Sequence, residues 1–277
     1  MADNTKIHYS SENQKHLIDL MMFKGAPINN DIDNEIIILV NDGYVAGFSP
    51  NRLQSVWSAY RVADHTRDVK YERPHLYYDD KRLGLEHQIG PETFGKVNGI
   101  SYHVGHLVPN EVTNRQYGRM AQLQTFFMSN MCPQKDSLNT GVWKDLETLV
   151  RSVEDIDGKS REHIWAIAGP VFGDNPEYID RPNGKKVPIP EACYYVTVDP
   201  FRYPWDRKSN VDVACFLIPQ DAERNTSLSD YLVDQRQIEE KTKLSFFPLW
   251  DSAMATSAAL SAPGSMNTRH RLLRQII

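Results

Sequence analysis

The stretch EIIILVNDGYVAGFS, Glu35 to Ser49, constrains the fold of this chain more than any other. Two apolar runs flank an Asp-Gly pair, and those residues favour a tight turn between antiparallel strands. SVWSAYRVA follows at once, β-branched and aromatic, and reads as a third strand beside the hairpin. HIWAIAGPVFG, ACYYVTVD and VACFLIPQ are three further apolar runs of strand length. Helical spacing is confined to a few places. HLIDLMMF is a short helix, and Arg115 to Met128 has a helical pattern. SLSDYLVDQRQIEEKTKL reads as one helix capped by Ser227 or Ser229. The clearest is VWKDLETLVRSV, where Val142, Leu146, Leu149, Val150 and Val153 recur at three- and four-residue steps on one side. The polar stretch from Asp64 to Gly99 and the segment SNMCPQKDSLNTG read as loop and turn. Strands and helices do not alternate as βαβ units, so the expected class is α+β, with a mainly antiparallel central sheet flanked by helices.

A chain of 277 residues suits one large domain or two small ones. Its net charge of −5 argues against whole-surface binding to polyphosphate but leaves room for a local basic groove. No run approaches the ~20 apolar residues of a membrane span, so no membrane partner is expected. MADNTKIHYSSENQK is polar and lacks the apolar core of a signal peptide, which leads to the expectation of a cytoplasmic protein unless another export route is used. Cys132, Cys193 and Cys215 are far apart and not in CxxC spacing, which argues against structural zinc and against a disulfide framework. Cys193 and Cys215 lie in apolar runs and read as buried thiols.

Candidate chemistry begins at SYHVGHLVPN, Ser101 to Asn110. His106 stands where a strand ends before Pro109, and a neutral imidazole is well matched to taking a proton from water. A half-buried structural histidine would look the same. His103 and His106 are three apart, which in a strand places them on opposite faces and disfavours a two-histidine metal pair. Asn139 stands at the mouth of the amphipathic helix, either as its cap or as a hard oxygen ligand. Glu147 lies about two turns on, with Arg151 four residues beyond it. That pair is either a solvated helix face or a carboxylate ordering metal-bound water beside a phosphate-gripping arginine. Arg73, in KYERPHLYYDD, is either an exposed loop arginine or a second phosphate clamp. Spacing alone leaves each alternative open.

Taken in order, these segments resemble the DNA/RNA non-specific endonuclease family, which has the ββα-metal (His-Me finger) site. YERPH resembles its Arg-Pro loop and GHLVP its histidine motif; FFMSNMCPQKDSLNTGVWKDLE resembles its most diagnostic block, and the later strand runs follow in the family's order. The resemblance implies an endonuclease domain over residues 31–251, with an N-terminal extension at 1–30 and a C-terminal tail at 252–277. It implies a metal-dependent hydrolase of phosphodiester bonds in DNA and RNA, with little sequence preference and 5′-phosphate ends. Carried across residue by residue, His106 becomes the general base and Asn139 the direct ligand of a catalytic Mg²⁺, for which Mn²⁺ can substitute. Glu147 becomes the carboxylate that holds the metal's waters, and Arg73 and Arg151 the phosphate contacts. Nucleic acid is the implied partner, and both homodimer and monomer occur in the family. A nuclease without a leader also calls for an inhibitor or other regulatory partner, as in an intracellular toxin or defence effector.

One departure stands out. The family pattern is Asp-Arg-Gly-His, and here it is His103-Val104-Gly105-His106. Valine cannot stabilise an anion, and losing one preorganised cation can cost on the order of a hundredfold in rate. His103, Arg115, Arg119 and Arg67 are the candidates to compensate. The alternative is a catalytically weak or silent member that serves as a nucleic-acid- or protein-binding module.

Overall fold

A computed structural model describes residues 6–9, 16–62, 71–152, 163–200, 205, 207, 210–250 and 272–276. Arg67, Val153 and most of the 252–277 tail lie outside the described residues.

An eight-stranded sheet forms the centre. Its strands are β1 (Lys6–Tyr9), β2 (Ile37–Val40), β3 (Val45–Ser49), β4 (Gln54–Val62), β8 (Ile164–Val171), β9 (Ala192–Asp199), β10 (Asp212–Pro219) and β11 (Leu232–Val233), adjacent in that order. Only β1 runs parallel to its neighbour; the other pairings are antiparallel, as the sequence predicts. A smaller antiparallel sheet holds β5 (Gly95–Val97), β6 (Ile100–His106) and β7 (Met131–Lys135).

The hairpin forms as expected, but its glycine serves another purpose. Val40 pairs with Val45 across the turn. Gly43 is not among the described glycines with positive φ, and a Cβ there would lie 3.0 Å from the Cβ of Ala121. Close packing of helix α3 (Arg119–Gln124) on the turn favours the glycine, rather than a left-handed backbone.

All eight residues of β8 and all eight of β9 are buried, because both faces of the sheet are covered. Neighbours alternate between two cores. Tyr195, Ala166 and Phe216 face one core, with Trp143, Leu146 and Val150 of helix α4 (Trp143–Ser152). Tyr194, Val196 and Trp165 face the other, with Met21 of helix α1 (Leu17–Met21) and with Phe246 and Phe247.

Three local expectations need correction. Met131–Lys135 is a strand, not a turn; Pro133 is tolerated because β7 is an edge strand, and it sits opposite Val104. The helical pattern from Arg115 to Met128 divides at Gly118, whose φ of 91° ends α2 (Asn110–Gln116) before α3 begins. SLSDYLVDQRQIEEKTKL divides as well. Ser227 caps only a 3₁₀ turn at Leu228–Tyr231, and the helix α5 (Gln235–Thr242) starts after a capping box between Asp234 and Gln237. At the far end α6 (Leu273–Ile276) returns to the molecule, with Leu272 and Leu273 buried in the same core as α4.

Candidate active site

His106 is the last residue of β6, paired with Met131 of β7. The glycine before it is dictated by the neighbouring strand: a Cβ on Gly105 would fall 2.0 Å from Oε1 of the fully buried Gln134. Beyond β7 the chain makes a π-helical turn, Leu138–Val142, which runs into α4. Such turns recur at functional sites because they displace side chains from the regular helical path. Asn139 lies within this turn. Its side chain does not cap the helix; Nδ2 lies 3.3 Å from Nδ1 of His103. Trp143 locks helix to strand, since its Nε1 donates to the carbonyl of His106 at 3.2 Å. Strand, turn and helix thus meet at His106, with Leu138, Val142 and Leu146 buried beneath.

A cleft of about 610 Å³ opens over this junction, and Arg73, His106, Asn139, Glu147 and Arg151 all line it. They come from four separate segments of the chain. His103 lines the cleft too, although it sits three residues from His106 on the same strand. Val104 is buried against Ile89, Phe94 and Met131 and brings only hydrocarbon to the wall. Of the cations considered as its replacement, Arg115 pairs with Glu111 at 3.0 Å. Arg119 donates to the carbonyl of Glu72 and to Gln122, and neither arginine lines the cleft. Lys144, which the sequence reading passed over, does line it. Its signal was there to read: it lies three residues before Glu147 on the same helix, a spacing that shares a face.

The electrostatics follow from crowding. Burial, and secondly the charge of Arg73, push the His106 imidazole down to about 3, so it is neutral at pH 7. Its ring meets Phe126 edge to face at 5.0 Å, and the guanidinium of Arg73 lies over that same phenyl ring at 5.1 Å. Nε2 of His106 is buried and has no hydrogen-bond partner among the described residues. Glu147 moves the other way. It keeps part of its side chain open to the cleft, yet surrounding protein raises its carboxyl to about 8, against the opposing pull of Trp143, Arg73 and Arg151.

No group of three or more His, Cys, Asp or Glu able to cage a metal exists among the described residues. The donors present suit a different kind of ion. The carbonyl oxygen of Asn139 accepts no hydrogen bond among the described residues, and Glu147 adds a carboxylate in the same cleft. One or two hard oxygen donors beside open volume fit a small cation that keeps most of its water, the habit of Mg²⁺.

Comparison with known proteins gives a consistent picture. A family model described as DNA/RNA non-specific endonuclease matches residues 27–253. The human "Nuclease EXOG, mitochondrial" is 27% identical over 178 residues, covering 58% of this chain and 45% of that protein. The "Mitochondrial nuclease" of Saccharomyces cerevisiae is 25% identical over 174 residues, 57% of this chain and 51% of the relative. A protein named "Nuclease" from a Nostoc species is 24% identical over 213 residues, 76% of this chain and 72% of its own length. The chain therefore spans about half the length of the two mitochondrial relatives.

Proposed function

Because the chain belongs to the DNA/RNA non-specific endonuclease family, we propose that it hydrolyses phosphodiester bonds of DNA and RNA with little sequence preference. One observation carries this reading. The base, the oxygen ligand, the carboxylate and both arginines expected from the family pattern line a single cleft, although 78 positions separate Arg73 from Arg151 in the sequence (151 − 73).

Arg73 and Arg151 grip the non-bridging oxygens of a phosphate, and Lys144 adds a third positive charge where Val104 adds none. His106 takes a proton from a water as that water attacks phosphorus in line with the leaving 3′ oxygen, so the product carries a 5′-phosphate. A bound phosphate offsets the charge of Arg73 and so relieves the smaller of the two causes that depress the His106 imidazole. Asn139 and, through water, Glu147 would hold Mg²⁺ or Mn²⁺. What that cation supplies when bound is neutralisation of charge developing on the phosphate and the leaving oxygen. Contacts of this kind read the backbone rather than the bases, which fits action on both nucleic acids.

The test is degradation of plasmid DNA and single-stranded RNA in EDTA, Mg²⁺ and Mn²⁺, beside His106→Ala. Metal-dependent cutting that the variant loses supports the reading. Binding without cutting in either metal would favour the silent binding module suggested by Val104. Size-exclusion chromatography with light scattering distinguishes monomer from homodimer. Fractionation of the source cells tests the cytoplasmic placement, and recovery of a bound inhibitor would explain how such an enzyme is restrained there.

A further inference from the structure

We propose that His103, held from behind by Asp136 and Arg224, is a positioning residue that fixes the Asn139 side-chain amide with its oxygen facing a hydrated divalent cation. This rests on the nuclease reading above and assigns a role to the residue that replaces the family's aspartate.

The argument is one of donors and acceptors. A neutral imidazole has one N–H and one lone pair, and what one nitrogen faces decides the state of the other. Nε2 of His103 lies 3.5 Å from Oδ1 of Asp136, and a carboxylate at that nitrogen selects the tautomer of the neutral ring that carries its proton there. Nδ1 is then a lone pair, 3.3 Å from Nδ2 of Asn139. Only the NH₂ end of an amide can meet a lone pair. The amide is therefore oriented by chemistry, and its oxygen is left over. Without that constraint the amide could turn its NH₂ toward the cation, which repels it.

The carboxylate behind the imidazole is itself fixed. Burial pushes Asp136 up, but its hydrogen bond and charge pairing with Arg224, aided by His103, leave it below the usual carboxylate range. Nη2 of Arg224 donates to Oδ2 of Asp136, and Nη1 to Oγ1 of Thr140, the residue after Asn139. The loop bearing Arg224 presses on the π turn closely enough that a Cβ on Gly141 would lie 3.2 Å from the Arg224 Cα. Asp136, Asn139 and Thr140 thus belong to one short segment, clamped by Arg224 on one side and by His103 on the other. Groups that orient a metal ligand in this way are each worth about 10- to 100-fold in metal affinity.

The test measures Mn²⁺ binding to the full chain by calorimetry and electron paramagnetic resonance, without substrate, for the parent, His103→Leu, His103→Asn and Asp136→Asn. Leucine is expected to weaken Mn²⁺ binding about tenfold or more. Asparagine, whose carbonyl oxygen sits about where Nδ1 was, retains most of the affinity. Asp136→Asn, at a half-exposed position, moves affinity the same way by a smaller factor, and the double variant H103L/D136N binds no worse than H103L. In the cutting assay, H103L recovers when Mn²⁺ is raised, a change in metal requirement rather than in limiting rate. Unchanged Mn²⁺ affinity in both H103L and D136N, with the parent binding and cutting, overturns the positioning role alone. A parent that binds Mn²⁺ but cuts nothing overturns the nuclease reading alone, and the binding series still decides this one. A parent that binds no Mn²⁺ overturns both.

Discussion

Single side chains carry both the chemistry and its pH limits. His106→Ala is expected to lower cutting at least about a hundredfold, the range for removing a general base, with the melting temperature little changed. Gly105→Ala tests the wall behind it. The added methyl would displace buried Gln134, at a cost of about 1–3 kcal/mol in chemical denaturation, and would disturb the adjoining His106 as well. Glu147 yields a prediction with a definite sign. Its carboxyl stands near 8 in the folded chain against about 4.5 for an ordinary glutamate. Between those values the unfolded chain is ionised while the folded chain holds a proton, so this residue's contribution to stability falls as pH rises. The melting temperature of Glu147→Gln relative to the parent should therefore climb from pH 5 to pH 9 in chelator and climb less in Mg²⁺. A difference flat with pH would show that the carboxyl is not held protonated. His106 sets the acid side: depressed to about 3, it takes up its proton in the unfolded chain first, and stability drains away as pH falls below about 6.5. Which residue types could do chemistry was legible in the sequence. The values at which they titrate were not, because desolvation depends on neighbours such as Phe126 and Trp143 that lie far from them in sequence or on another element.

Among the elements, α4 was read most fully from sequence and β7 least. The three- and four-residue steps of α4 leave Leu146 and Val150 buried and Glu147 and Arg151 toward the cleft, a separation that helical geometry alone enforces. Pro133 and its polar neighbours look like breakers and predict a turn where β7 stands. It is a strand because an edge position needs no donor from Pro133 and because β6 supplies the partner. The joint between these two elements is the indole of Trp143. Trp143→Phe keeps most of the apolar volume but leaves the His106 carbonyl buried without its donor, which costs about 1–3 kcal/mol. Urea denaturation and the limiting rate of cutting should fall together, since the bond that holds the helix also fixes the end of the strand.

Across the whole molecule, charge and closure decide how the site is used. The net charge is −5, yet Arg73, Lys144 and Arg151 line one cleft together with Glu111 and Glu147, so the polyphosphate substrate proposed above would meet a cluster of three cations on an acidic protein. Three phosphate contacts predict a slope of log affinity against log salt of about −3 on duplex DNA and about −2 on single strands, measured with the His106→Ala chain. A much steeper slope would mean that a wider surface engages the substrate. The C-terminal end tests closure of the core. Leu273 is buried with α4 and Tyr231, so Leu273→Ala is expected to destabilise the chain by about 2 kcal/mol or more. The antiparallel sheet and the amphipathic α4 are written in strand and helix periodicity, which are local properties that a linear string records, whereas the five cleft residues could be singled out only through the resemblance to the endonuclease family, since spacing left each of them open. The folded chain alone brings Lys144 to the cleft while keeping Arg115 and Arg119 out of its lining, and it alone brings His103 to Asn139 and Asp136. Those facts depend on which surfaces face one another once the chain has closed, and distance in space is not written in distance along the chain.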